Sequence, residues 1–395
     1  MRSAHGPNPS EETTVMKRQA VCDMIRKLNT EQRHIFDDVI ERLASAKHDV
    51  HEAVPFYLYI AGKAGTGKTF LIKTIIEASK LLLMKSGDDL SKPTVLVMSP
   101  TASAARLIGG ETIESALKFS RNDDSEGYEF FSNFARCSND YEQLKILFID
   151  EISMVGCNKL HQIHTRLEEL LGKNEQPFSG LSVVVTGDFF QLPPVKDKWI
   201  FANNWRPNRA NFTAPNKWKQ FFKIYELTEK MRSLEDVEFS NLCDRIGTNS
   251  LNATDETTLS QRIIDCPNEN CNDAYKEGKL AVIVTDNCKR SEINSAMLES
   301  LEGVSTVFMA KDVATNVKDF PTQTLLDLPY TRTGGLPLKL QLKVNCPVML
   351  TINVDNADGL TNGTRGYVTG IDKDNLTVIL KAASVMFSRD QAKSV

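Results

Sequence analysis

The chain has 395 residues, 41% of them hydrophobic and 25% charged, and its 47 lysines and arginines against 51 acids give a net charge of −4. This is the composition of a globular protein of two or three domains. It excludes a globally basic nucleic-acid binder but permits a local basic groove, and no window approaches the ~18 apolar residues of a membrane span.

Residues 1–27 read as a polar leader with neither a secretory signal nor an acid-poor transit pattern, so the chain is expected to be intracellular. The stretch "LNTEQRHIFDDVIERL" at 28–43 has helical spacing of Ile35, Phe36, Val39, Ile40 and Leu43, with Thr30 as the expected N-cap. Four apolar runs follow: "FYLYIAG" at 56–62, "TVLVMS" at 94–99, "KILFID" at 145–150 and "LSVVVTGD" at 181–188. Their lack of polar alternation predicts strands covered on both faces, and the helical patterns between them predict a parallel α/β sheet. Residues 118–142 interrupt the pattern and read as a small insertion. A second α/β unit is expected from about 224, with a strand in "LAVIVTDN" at 280–287. From about 304 the sequence is strand-rich, and "TNGTRGYVTGID" carries an Asn-Gly turn signal.

"GKAGTGKT" at 62–69 follows the first strand and opens a helix, the setting that a phosphate-binding loop requires. The backbone from Gly62 through Ala64, Gly65, Thr66 and Gly67 can converge on phosphates at a helix N-terminus. Lys68 would reach the β- and γ-phosphates of a bound triphosphate, and the Thr69 hydroxyl would ligate Mg²⁺. Strand "ILFID" ends in Asp150, placed for the metal, and Glu151, placed to polarise the attacking water. In "GDFFQLPPV" at 187–195, Gln191 sits on a proline-stiffened loop where it could sense the γ-phosphate.

Other groups read as structural. Cys266 and Cys271 form a lone C-x4-C with no second pair at zinc spacing. His161 and His164 flank the helical stripe of Leu160, Ile163, Leu167 and Leu170. The tryptophans Trp199, Trp205 and Trp218 lie in a basic stretch, 196–223, that would suit either a packed linker or a single-strand groove.

"LNTEQ", "GKAGTGKT", "SPTASAARLIGGETI", "LFIDEISMV", "GDFFQLPPV", "LTEKMR" and "PVMLTINVDNADGLTNGTRGYV" occur in that order. The chain thereby resembles the petite-integration-frequency (Pif-type) DNA helicases of superfamily one, including their Helitron-related branch, over roughly 28–370. The resemblance implies a P-loop NTPase with two RecA-like domains that moves 5′ to 3′ on single-stranded DNA, with ATP and Mg²⁺ as cofactors. It implies action as a monomer on duplex or junction DNA in the nucleus or mitochondrion, in repair, recombination or telomere maintenance. Gln32 would recognise adenine, Gln191 would couple phosphate state to DNA, and Arg232 would be an arginine finger. Pro100, Thr101 and Thr112 match the DNA loops of the first domain, whereas Glu114 stands where the family usually has a histidine.

On this basis the expected domains are a leader (1–27), a first RecA-like domain (28–217), a second, partial one (218–346) and the start of an SH3-like insertion (347–395). Two later family segments, one carrying a second arginine for the γ-phosphate, do not appear. The expectation is therefore a first domain that folds and binds ATP, with weak or absent unwinding by this chain alone. Two other readings are kept: an ATPase or single-strand-binding fragment without unwinding, and a nucleotide switch with no nucleic-acid role.

Overall fold

A computed structural model describes residues 18–48, 54–84, 89, 91–119, 138–172, 176–203, 216–231, 237–263, 282–310, 338–351, 364–372, 377–380 and 385–386. The chain divides into two compact units, Met1–Asp255 and Glu256–Val395.

The first unit runs α1 (Arg18–Arg26), α2 (Thr30–His48), β1 (Tyr57–Gly62), α3 (Lys68–Leu83), β2 (Val95–Ser99), α4 (Ala102–Leu107), β3 (Glu111–Thr112) and α5 (Ile113–Ala116). It continues with β4 (Ile146–Ile149), α6 (Cys157–Leu171), β5 (Ser182–Gly187), α7 (Lys217–Phe221), β6 (Lys223–Leu227), α8 (Val237–Gly247) and α9 (Ala253–Ser260), the last crossing the division. The strands form one sheet in the order β3-β2-β4-β5-β1-β6, and every pairing is parallel. The four expected strands are its centre.

Side-chain alternation explains why those strands show no polar face. Leu58, Ile60, Val97, Phe148 and Val184 point to a core roofed by α2 and α3, through Phe36, Val39, Leu71, Ile72, Ile75 and Ile76. Tyr57, Tyr59, Met98, Ile149, Val183 and Val185 point to the opposite core, roofed by α6 through Leu160, Ile163 and Leu167. A period-two strand buried on both sides must be apolar at every position. The cost of this arrangement falls on the chain ends of the strands, where the backbone leaves the sheet and polar groups can gather. In an open parallel sheet the crevice at the carboxyl ends is where ligands bind.

Several expectations shift. The leader is helical from Arg18, and α1 buries Val21 and packs Ile25 against the α2–α3 core. Thr30 does not cap α2. Asn29 does, its Oδ1 accepting from the Gln32 amide at 2.8 Å while Gln32 Oε1 accepts from the Asn29 amide at 3.2 Å, a reciprocal capping box. The segment from 223 does not open a second sheet: β6 pairs parallel with β1, so the first unit reaches past the expected boundary at 217. The core of the insertion, 120–137, and the Asn-Gly turn lie outside the described residues.

The second unit contains α10 (Asn287–Ser300), an antiparallel pair β7 (Thr306–Met309) and β8 (Lys339–Leu342), and an antiparallel sheet β12-β11-β10-β9. Those strands are β9 (Pro347–Met349), β10 (Arg365–Asp372), β11 (Thr377–Leu380) and β12 (Val385–Met386). Leu342, Cys346 and Val368 are its buried cluster, with Leu298, Leu301 and Phe308 against them. The strand expected at 280–287 does not form in its described part. Ile283 is 95% exposed, and Asp286 instead caps α10 by accepting from the Lys289 amide at 2.7 Å. A strand exists only by pairing, and no described strand pairs with this segment.

Candidate nucleotide site and its surroundings

The carboxyl ends of β4, β5 and β1 lie side by side because β5 pairs with both others. Each carries a polar group to the same edge: Asp150 and Glu151 after β4, Asp188 after β5, and the glycine-rich loop after β1.

The loop needs glycine at two places for backbone reasons, Gly65 at φ +89° and Gly67 at φ +80°. A Cβ on Gly67 would also lie 2.5 Å from Gln32 Nε2, and one on Gly62 would lie 2.6 Å from Thr66 Oγ1. Gly67 is the N-cap of α3 and brings no capping side chain, so the first-turn amides are not consumed from that position. Thr66 is buried, and its hydroxyl donates to the Lys63 carbonyl at 2.9 Å, which holds the curl of the loop. Lys68 turns back over the loop, its Nζ donating to the carbonyl oxygens of Gly62 and, at 2.9 Å, Lys63. The ammonium is thus already poised inside the curl, on carbonyl acceptors. Ala64 is exposed at the loop's crest, and Thr69 is half-buried on the first turn of α3.

Asp150 is only 6% exposed, and its Oδ1 accepts from the Thr186 hydroxyl and from the Glu151 amide at 2.9 Å. Two donors on one oxygen fix the carboxylate's orientation. Glu151 adopts the left-handed conformation, φ +55° and ψ +47°, which costs a non-glycine residue about 1–2 kcal/mol. Burial, and then the neighbouring Asp150 charge, push its carboxyl above the ordinary range; Lys68 pulls the other way, and Asp188 adds to the rise. A carboxylate so raised is a better proton acceptor near neutrality than a solvated one.

Asp188 was not singled out from the sequence. It is 7% exposed, accepts from the Phe190 amide at 3.0 Å, and meets Gln191 Nε2 at 3.4 Å. Gln191 is exposed at the turn, its amide donating to the Asp188 carbonyl at 2.9 Å. The signal was present as a third strand-terminal carboxylate, in "TGD".

Gln32 lies behind the loop, 1% exposed, with Nε2 donating to the Thr66 carbonyl at 3.1 Å. Next to it Glu31 accepts from the amides of Thr228 and Glu229 at 2.9 and 3.2 Å and from the Thr228 hydroxyl. These bonds, the hydroxyl first, hold its carboxyl below the usual range. The Met231 amide donates to the Gly65 carbonyl at 2.8 Å. Lys63 of the loop and Lys230 both pair with Asp244 on α8, at 3.3 and 2.7 Å. "LTEKM" is therefore fastened to the loop and to α2, while Arg232 lies outside the described residues.

On the far side of the sheet, Thr101 caps α4 by accepting from the Ala104 amide at 3.3 Å, and Thr112 caps α5 by accepting from the Ser115 amide at 3.2 Å. Each hydroxyl keeps a hydrogen to donate. Pro100 is half-buried between β2 and α4. Glu114 turns to Lys159 Nζ at 3.4 Å. Trp218 is buried, stacked on Phe222 at 4.7 Å, and Trp199 stacks on Phe201 at 5.5 Å, so both pack in the protein; Trp205 lies outside the described residues. His164 accepts from the Phe178 amide at 3.0 Å and meets Glu168 at 3.2 Å, and burial pushes it down to about 4. Cys266 and Cys271 are outside the described residues, among which no group of three or more His, Cys, Asp or Glu could hold a metal. The Thr69 hydroxyl and the Asp150 carboxylate are hard oxygen donors at one edge. That pair suits Mg²⁺, which draws its other ligands from water and phosphate.

The sheet, the loop and the strand-terminal acids define a P-loop nucleotide-binding fold of the RecA-like kind. A sequence model of the PIF1-like helicases matches residues 27–257, more than half of the chain, and one of the Pif1 helicase 2B domain matches residues 333–371. The chain belongs to the PIF1-like helicase family. It is 27% identical to the ATP-dependent DNA helicase PIF1 of Saccharomyces cerevisiae over 79% of this chain and 33% of that one. It is 28% identical to the protein of the same name in Danio rerio, over 90% of this chain and 48% of that one. A crystal structure of the Bacteroides Pif1 helicase with ADP-AlF3 and single-stranded DNA superposes with a TM-score of 0.55, at 25% identity, covering 88% of this chain and 74% of that one. The chain spans about a third to a half of the length of these curated relatives.

Proposed function

We propose that this chain binds and hydrolyses ATP and couples the hydrolysis to movement 5′ to 3′ along single-stranded DNA, as the motor part of a DNA helicase. The observation that carries the reading is the convergence of Lys68, Asp150, Glu151 and Gln32 on one loop at the carboxyl edge of the sheet. The Bacteroides relative, which holds a nucleotide analogue and single-stranded DNA together, supports it.

In this reading phosphate oxygens take over from the Gly62 and Lys63 carbonyls as acceptors for Lys68. Glu151, held by its turn, accepts the proton of the attacking water. Thr69 and Asp150 would hold Mg²⁺, which supplies charge neutralisation at the phosphates. Gln32, already fixed at the loop's back, offers its amide to the adenine edge. Gln191 hangs on Asp188 after β5, the strand between the one that ends in Asp150 and the one that carries the phosphate loop, where a change at the γ-phosphate can be passed on. Arg232, directly after the fastened Met231, is the group we assign to transition-state charge. Action on nuclear or mitochondrial DNA follows the same reading, and among the described residues no helix is long and apolar enough to cross a membrane.

ATP hydrolysis by this chain, measured with and without single-stranded DNA, tests the proposal. Stimulation by DNA is expected, and Lys68→Ala should reduce turnover at least about a hundredfold, as removal of a main transition-state charge partner does. Turnover that ignores DNA would sink the motor reading.

A further inference from the structure

The loop that carries Gln191 is held at its far end by a carboxylate with no part in the reaction. Asp197 Oδ1 accepts from the Lys198 amide at 2.7 Å and from Asn158 Nδ2 at 3.0 Å, while Oδ2 accepts from the amides of Asn158 and Lys159 at 3.0 and 3.1 Å. Asn158 and Lys159 are in the first turn of α6, so Asp197 caps that helix from outside, about forty residues along the chain, and its charge suits the helix N-terminus. The residue where a cap normally sits is Gly156, and a Cβ there would lie 2.3 Å from the Asp197 carboxyl. The backbones are joined as well. Gly156 bridges Trp199 in antiparallel fashion, and the Cys157 amide donates to the Lys198 carbonyl at 3.0 Å.

This first turn starts six residues beyond Glu151. It also holds Lys159, which meets Glu114 beside Thr112. We propose that Asp197 is a positioning residue that locks the Gln191 loop to the turn that follows Glu151, so that the phosphate-reading loop and the hydrolytic acid keep one geometry. The proposal rests on the ATP-driven motor reading for its consequence in turnover, but the lock itself is independent of it.

Asp197→Asn keeps the side chain's size yet sets an amide nitrogen against N–H donors whichever way it is turned. Hydrogen exchange is expected to quicken at least about tenfold both at the amides of Asn158 and Lys159 and across residues 188–198. Exchange unchanged in the loop overturns the lock. In the same variant DNA-stimulated kcat should fall about tenfold, with KM for ATP and the DNA-free rate within about twofold. A merely stabilising residue would lower both rates together with the folded fraction, and that result also overturns the proposal. Gly156→Ala keeps every Asp197 acceptor but intrudes on the same contact, and the two changes should be non-additive in the exchange readout. Should the unaltered chain show no stimulation by DNA, the motor reading falls, and the exchange comparison still decides the lock.

Discussion

Glu151 is strained, half-buried and set beside the charges of Asp150 and Asp188 as well as that of Lys68, a combination that a structural residue would have no reason to show. Because burial and then Asp150 raise its carboxyl, the ionised form that accepts a proton is lost at a higher pH than for a solvated glutamate. The acid limb of the ATPase pH profile should therefore lie above the ordinary carboxylate value of 4.5. Asp188 contributes to that rise, so Asp188→Asn should move the limb to lower pH; a limb that stays put would show that its charge is not felt at Glu151. Glu114 makes a second prediction at this scale. Its pair with Lys159 is half-exposed, and such pairs contribute only ~0–1 kcal/mol. Glu114→His should leave the melting temperature nearly unchanged while tightening single-stranded DNA binding, because a carboxylate beside the Thr112 loop is removed. Filter binding or anisotropy at low salt would measure this, and weaker binding would mean that Lys159, once released, matters more than the lost repulsion.

Among the elements, the ones legible in the sequence were those whose local rule is also their global one. β1, β2, β4 and β5 are buried on both faces, so an unbroken apolar run announces them. β6 was missed because it is an edge strand: Lys223, Ile224 and Glu226 are exposed, and "KIYEL" carries no two-sided signature. α1 is a nine-residue helix with a single buried side chain, Val21, and it is held by packing on α3. Asn29 and Thr30 are both cap residues by type, Asn the better of the two, and the reciprocal bonds with Gln32 settle it on Asn29. The loop residues and strand-terminal acids could be named from spacing, whereas Glu31 and Asp197 could not, since their partners are about two hundred and about forty residues away. Phe148, with no exposed surface at the middle of β4, is the plainest test of the two-sided core. Phe148→Ala should cost about 3–5 kcal/mol in denaturant unfolding, and a loss below ~1 kcal/mol would mean that the core collapses around the gap.

At the scale of the whole molecule the two units differ in what holds them. The first has large cores on both faces of its sheet, whereas the described buried cluster of the second is centred on Leu342, Cys346 and Val368. Local stability follows buried apolar area and paired backbone. Native-state hydrogen exchange should accordingly be slowest in β1, β4 and β5 and much faster in β9 and β10; equal protection would mean that the second unit draws stability from residues beyond those described.

The sheet order has a consequence for how this protein is made. Tyr57 pairs with Val183 and Leu58 with Lys223, so β1 leaves the ribosome well over a hundred residues before either neighbour. At ordinary synthesis rates that interval is on the order of ten seconds. For that time "YLYIA", the strand that will carry the phosphate loop, is a naked apolar segment with nowhere to go, and nascent chains of this protein should depend on chaperone occupancy until β5 emerges.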